Sequence, residues 1–164
     1  MNWPPQDGDV AVHQLGFDPI PDVIAVAVRF VTEEWPAEGR YMVNFPLGTD
    51  RAVAERTVRL IGDQDAWRVD PRAIEAGWPA YHITRVWLRG EEATVDVVRP
   101  VSTVVGTGVS AEGVTQQVTV RLRAGLGERW GVESARAWTV GAYERPTLYG
   151  WPLDDAADQG SGAP

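Results

Sequence analysis

Between Ala80 and Val140 the chain is patterned as β-strand almost throughout, and one stretch of that run leaves little freedom of pairing. Tyr81-His82-Ile83-Thr84-Arg85-Val86-Trp87-Leu88-Arg89 and Glu92-Ala93-Thr94-Val95-Asp96-Val97-Val98-Arg99 are rich in β-branched and aromatic residues. They flank Gly90-Glu91, the spacing of a hairpin with a two-residue turn. Closing the turn there sets Arg89 opposite Glu92, Trp87 opposite Thr94, Arg85 opposite Asp96 and Ile83 opposite Val98. Because side chains alternate, Val86, Leu88, Ala93, Val95 and Val97 then share one face. The other face receives two opposite-charge cross-strand pairs, each contributing roughly 0.2–1 kcal/mol. Pattern and charge select the same register.

Downstream, Val101 to Val105 begins as strand and passes into a Gly/Ser/Thr loop ending at Gly113. Gln116 to Arg123 alternates, with Val118, Val120 and Leu122 inward. After a turn at Ala124–Glu128, Arg129 to Val140 reads as the last strand. Trp130 and Val132 point inward, and the parity conflict near Ser134 suggests a bulge. Upstream, Asp22 to Trp35 places Ile24, Ala27, Val28, Val31 and Trp35 on one helical face behind Pro21, although its β-branched density also allows a buried strand. Arg40 to Phe45 is a short strand. Thr49 or Asp50 caps a helix running to Ile61, with Gly62 at its exit. Residues 63–79 read as turns with a short extended piece at Trp67–Val69. The resulting expectation is an α+β domain over 22–142. A four-strand antiparallel meander packs one apolar face on one or two helices, principally that at 49–61. An irregular lead-in (1–21) precedes it, and an aromatic, proline-bearing segment with an acidic tail (143–164) follows.

The 164 residues suit one domain. The net charge is −8 and every basic residue is Arg, as a GC-rich genome would encode. Those arginines are interleaved with acids rather than gathered in a stripe, so nucleic-acid binding and anionic membrane surfaces are disfavoured. No run of 18 apolar residues offers a membrane span. Cysteine is absent, which removes disulfides and thiol chemistry. The opening residues lack a basic-then-apolar leader, so the chain reads as cytoplasmic if Met1 is native, or as exported if a leader has been trimmed.

Helices followed by long antiparallel strands, the last carrying Arg129-Trp130-Gly131-Val132, resemble the cystatin-like and NTF2-like group of curved sheets wrapped on a helix. The resemblance covers about residues 21–140. It implies either a small-molecule enzyme of isomerase or dehydratase type or a binding and assembly module without chemistry. In such a cone His82, on the inner parity with Val86, would line a pocket and act as base, with Glu133 or Tyr41 as the second titratable group.

The residues themselves carry no catalytic signature. His13 lies in the lead-in without a partner, and the short acidic clusters Asp7-Gly8-Asp9, Asp63-Gln64-Asp65 and Asp154-Asp155 lack a loop-closing glutamate. Gly106-Thr107-Gly108 sits between strands and has neither dinucleotide nor P-loop spacing. No metal and no cofactor are expected. Eight tryptophans are many for this length. Trp3, Trp87, Tyr143, Tyr149 and Trp151 are the candidate partner-binding set, because Trp and Tyr dominate interface hot spots. The expected function is a non-catalytic interaction or structural module, engaging a protein partner or a second copy. The alternative is an NTF2-like small-molecule binder or enzyme.

Overall fold

The computed structural model describes residues 2–4, 19–101, 114–125, 127, 129–141 and 146–150. Among these, α1 (Ile20–Glu34) settles the helix-or-strand alternative for the first apolar run. Pro21 enters the first turn, where its missing N–H has no intrahelical acceptor to lose. Val23, Ile24, Ala27, Val28 and Val31 follow at helical spacing and are fully buried.

The hairpin forms with Gly90 at φ 58°, a backbone conformation that glycine adopts without penalty. Its strands are β4 (Ala80–Arg89) and β5 (Glu92–Pro100). Arg89 faces Glu92, Trp87 faces Thr94 and Arg85 faces Asp96, as expected. Beyond Arg85 the register shifts. Ile83 faces Val97 and His82 faces Val98, so Thr84 is an extra residue in β4. The bulge turns Tyr81 and Ile83 to the face shared with Val86 and moves His82 to the opposite one, correcting its expected inner parity. The two anticipated ion pairs also re-partner. Asp96, buried at 8% exposure, accepts from Thr119 Oγ1 (2.6 Å). Glu92 pairs with Arg123 (2.8 Å), which also reaches Glu133 (3.4 Å).

The antiparallel run continues through β6 (Thr115–Ala124) to β7 (Trp130–Ala137), where Glu133 forms a second bulge. Of the expected core positions, Val86, Leu88, Val95, Val97, Val118, Val120 and Leu122 are buried and Val132 packs at their edge. The sheet nonetheless differs from a four-strand antiparallel meander: it is seven-stranded and mixed. β2 (Tyr41–Asn44) lies parallel to β4 on one side and to β3 (Ala66–Arg68) on the other. Between β2 and β3 the chain crosses over through α2 (Arg51–Ile61), the connection that parallel neighbours require. The helix covering the antiparallel strands is α1, not the one at 49–61. α2 packs on α1 and β3 instead.

Two further elements were not anticipated. α3 (Pro71–Glu75) is capped by Asp70, whose Oδ1 accepts from the N–H groups of Arg72 (2.9 Å) and Ala73 (3.1 Å). Its Ala73 joins Met42 and Val69 in a second small core, with Trp78, Ala80 and Leu148 packed around it. Met42 alternates with Tyr41 and Val43, which belong to the main core, so this cluster covers the face of the sheet away from α1. Within the lead-in, β1 (Asn2–Trp3) pairs with Val86 and Trp87 of β4, continuing the edge that β2 occupies farther along.

Trp3 therefore belongs to the fold, packing against the main core cluster. Trp3→Ala is expected to lower the unfolding free energy by about 2 kcal/mol, since the ring is half-buried and its full truncation in a core costs more. Urea denaturation checks this. An unchanged midpoint would mean that β1 contributes nothing to stability.

Candidate functional site

Beyond the core that packs α1 against the sheet, a cleft of about 900 Å³ opens at the end of the sheet. Its walls come from Trp35–Glu38 after α1, from Trp78–His82 at the start of β4, and from Arg99–Val101 and Thr115 where β5 ends and β6 begins. Pro146 and Leu148 close one side. These segments meet because β2, β4 and β5 all terminate or begin there.

Arg99 is the cation of the cleft. Its Nε donates to Gln116 Oε1 (2.7 Å), and its Nη1 donates to the Pro100 carbonyl (3.3 Å). Gln116 is held in turn by donating from Nε2 to the Trp138 carbonyl (2.8 Å). The guanidinium carbon lies 4.8 Å from the Trp35 ring centre, a cation–π contact. No carboxylate among the described residues forms an ion pair with Arg99. Burial depresses the proton affinity of its guanidinium. Beside it, Tyr81 donates from its hydroxyl to the Trp35 carbonyl (2.7 Å) at the exit of α1 and packs edge-on against Tyr41. Burial pushes the Tyr81 phenol up to about 12, against a smaller opposing pull from Arg99. Thr115 is 2% exposed, and its Oγ1 is buried without a hydrogen-bond partner.

His82 lines the cleft but is engaged by Asn44. The Asn44 Oδ1 accepts from the Tyr149 N–H (2.9 Å) and its Nδ2 donates to the Thr147 carbonyl (2.9 Å). These two backbone contacts determine which end of the amide carries nitrogen. The second Nδ2 hydrogen therefore donates to His82 Nδ1 (2.9 Å), leaving the ring proton of the neutral histidine on Nε2. The lone pair that a base would use is already occupied. Neither expected partner is near it: Glu133 sits exposed on β7 with Arg123, and Tyr41 donates to Asp63 Oδ2 (3.0 Å) in a separate hollow of about 220 Å³. The trio His82, Glu133 and Tyr41 is dispersed.

The proposed partner-binding aromatics also separate. Trp3 packs into the core, Trp87 is half-buried on the face away from α1, and Tyr149 is 37% exposed. Tyr143 and Trp151 lie outside the described residues. The strand residues that matter most here, Asn44 and Arg99, were passed over. Asn44 had a readable signal, being the polar residue within the apolar strand Tyr41–Phe45. Gly150 shows how closely the segment it holds approaches the fold: a Cβ there would lie 2.5 Å from the Val69 carbonyl oxygen.

Among the described residues no group of three or more His, Asp or Glu converges as a metal site, and no helix is long and apolar enough to cross a membrane. No family model, curated protein or solved structure matches the chain.

Asn44→Ala removes three hydrogen bonds at once. Exchange of the Tyr149 amide hydrogen is expected to speed up at least about tenfold and stability to fall by about 1–3 kcal/mol. Unaltered exchange at Tyr149 would show that Asn44 does not hold the segment. A second expectation concerns alkali. The folded Tyr81 keeps its proton to about 12, whereas the unfolded chain releases it near 10.0, so the unfolded state binds fewer protons between those values. The contribution is complete below pH 10 and is lost as pH rises towards 12, with Tyr41, raised by burial and by Asp63, acting in the same direction. Thermal melts from pH 9 to 12 should decline, and less steeply in Tyr81→Phe. Equal slopes in both proteins would contradict this.

Proposed function

We propose that this protein is a non-catalytic binding domain whose ligand is a small molecule held in the cleft at the end of the sheet. The observation that carries the reading is the cleft itself. At about 900 Å³ it falls within the usual size of ligand sites, and it combines aromatic walls from Trp35, Trp78 and Tyr81 with a few polar groups. The absence of chemistry is argued from His82, whose Nδ1 accepts from Asn44 while Glu133 and Tyr41 are engaged elsewhere. Among the described residues, neither Glu133 nor Tyr41 meets His82 in a shared geometry. This reading keeps the binding role implied by the NTF2-like resemblance and leaves out its catalytic branch. The net charge of −8 and the interleaved arginines still argue against nucleic acid as the ligand.

Titration with indole, a flat neutral probe, tests the reading by nuclear magnetic resonance. Saturable shifts should concentrate at the Trp35 and Trp78 indole N–H groups and at the backbone of Tyr81, Arg99 and Thr115. Shifts scattered over the surface, or confined to Trp138, would refute it.

A further inference from the structure

Among the described residues most charged groups are either exposed or paired, and Arg99 is neither. It is half-buried at the end of β5 with its Nε and Nη1 held by neutral acceptors, Gln116 Oε1 and the Pro100 carbonyl. Its Nη2 makes no hydrogen bond among the described residues. A partly desolvated guanidinium without a carboxylate is unfavourable unless something else supplies one. Trp35 on one flank offers a cation–π contact but no charge. Set among Trp35, Trp78 and Tyr81, the guanidinium calls for an acceptor of opposite charge.

We infer that the cleft selects a small monocarboxylate with a flat apolar body, its carboxylate on Arg99 and its body against the aromatic walls. The inference rests on the binding-domain reading given above and specifies its ligand class. An Arg fork whose Nε is already taken presents its Nη edge, which suits a carboxylate oxygen. The charge of the ligand is limited to one because Glu34 and Glu38 also line the cleft and repel a second negative group. The apolar body follows from Trp78 and Leu148, which pack against the second core and line the cleft.

A matched pair of probes tests this on the intact chain. 2-Naphthoate and 2-naphthamide have the same shape and differ in charge, and both report on the Trp35 and Trp78 indole signals. The naphthoate is expected to bind about tenfold more tightly at low salt, the equivalent of one charge-assisted contact. In Arg99→Gln that preference should vanish while the amide binds as before. Equal affinity for the two probes in the unsubstituted protein, or a preference that survives Arg99→Gln, would overturn the anion inference and leave the cleft reading standing. If neither probe moves the cleft signals, the binding-domain reading falls and this inference with it. The unsubstituted protein decides the question even where a variant fails to fold.

Discussion

The arrangement depends on burying β2 from both faces. Tyr41 and Val43 point into the main core under α1, while Met42 and Asn44 point the other way and are equally buried. A strand of four residues cannot secure its own backbone groups, so β2 is bracketed by β3 and β4 in parallel. Covering both of its faces then requires helices on two levels, α1 with α2 on one side and α3 with residues 146–150 on the other. The antiparallel strands need no such treatment. They carry an apolar face under α1 and a polar face with Asp96, Thr119 and Arg121, so one layer suffices.

This division explains what could be read from the residues alone. Where one face is dry and the other wet, alternation is visible, and the pairings from Arg89–Glu92 to Arg85–Asp96 followed from it. Where both faces are dry, Tyr41-Met42-Val43-Asn44-Phe45 loses its alternation, and nothing in a short apolar run says whether its neighbours are parallel. The signal that did exist was the order of strand, helix and short extended piece around Trp67, the pattern of a βαβ unit. Assigning α2 to the antiparallel face followed from leaving that extended piece out of the sheet. The expected ion pairs failed for a related reason. A strand inside the sheet has two neighbours, and Glu92, opposite Arg89 on β4, is equally opposite Arg123 on β6, with which it pairs.

The cleft was less legible than the fold, because it is made of endings. Trp35 follows α1, Arg99 nears the end of β5, Thr115 begins β6, and Pro146 and Leu148 come from a segment with no regular structure. Periodicity reports the interiors of elements and is silent about where their termini gather. His82 was recognised as notable, but its significance lies in Asn44, which is 38 residues away in sequence. That contact depends on the parallel pairing of Asn44 with His82, a register no local pattern encodes.

The extra residue at Thr84 has a consequence for how one strand serves two masters. From Val86 to Arg89 β4 is in phase with the antiparallel strands, and from Ala80 to His82 it is in phase with β2. A strand without the bulge would hold a single phase along its length. Tyr81 would then be turned away from Trp35, and His82 would be driven into the packed space beneath α1. The bulge acts as a phase step that lets a water-facing sheet be grafted onto a fully enclosed one, with the corner left between the two regimes open as a cavity.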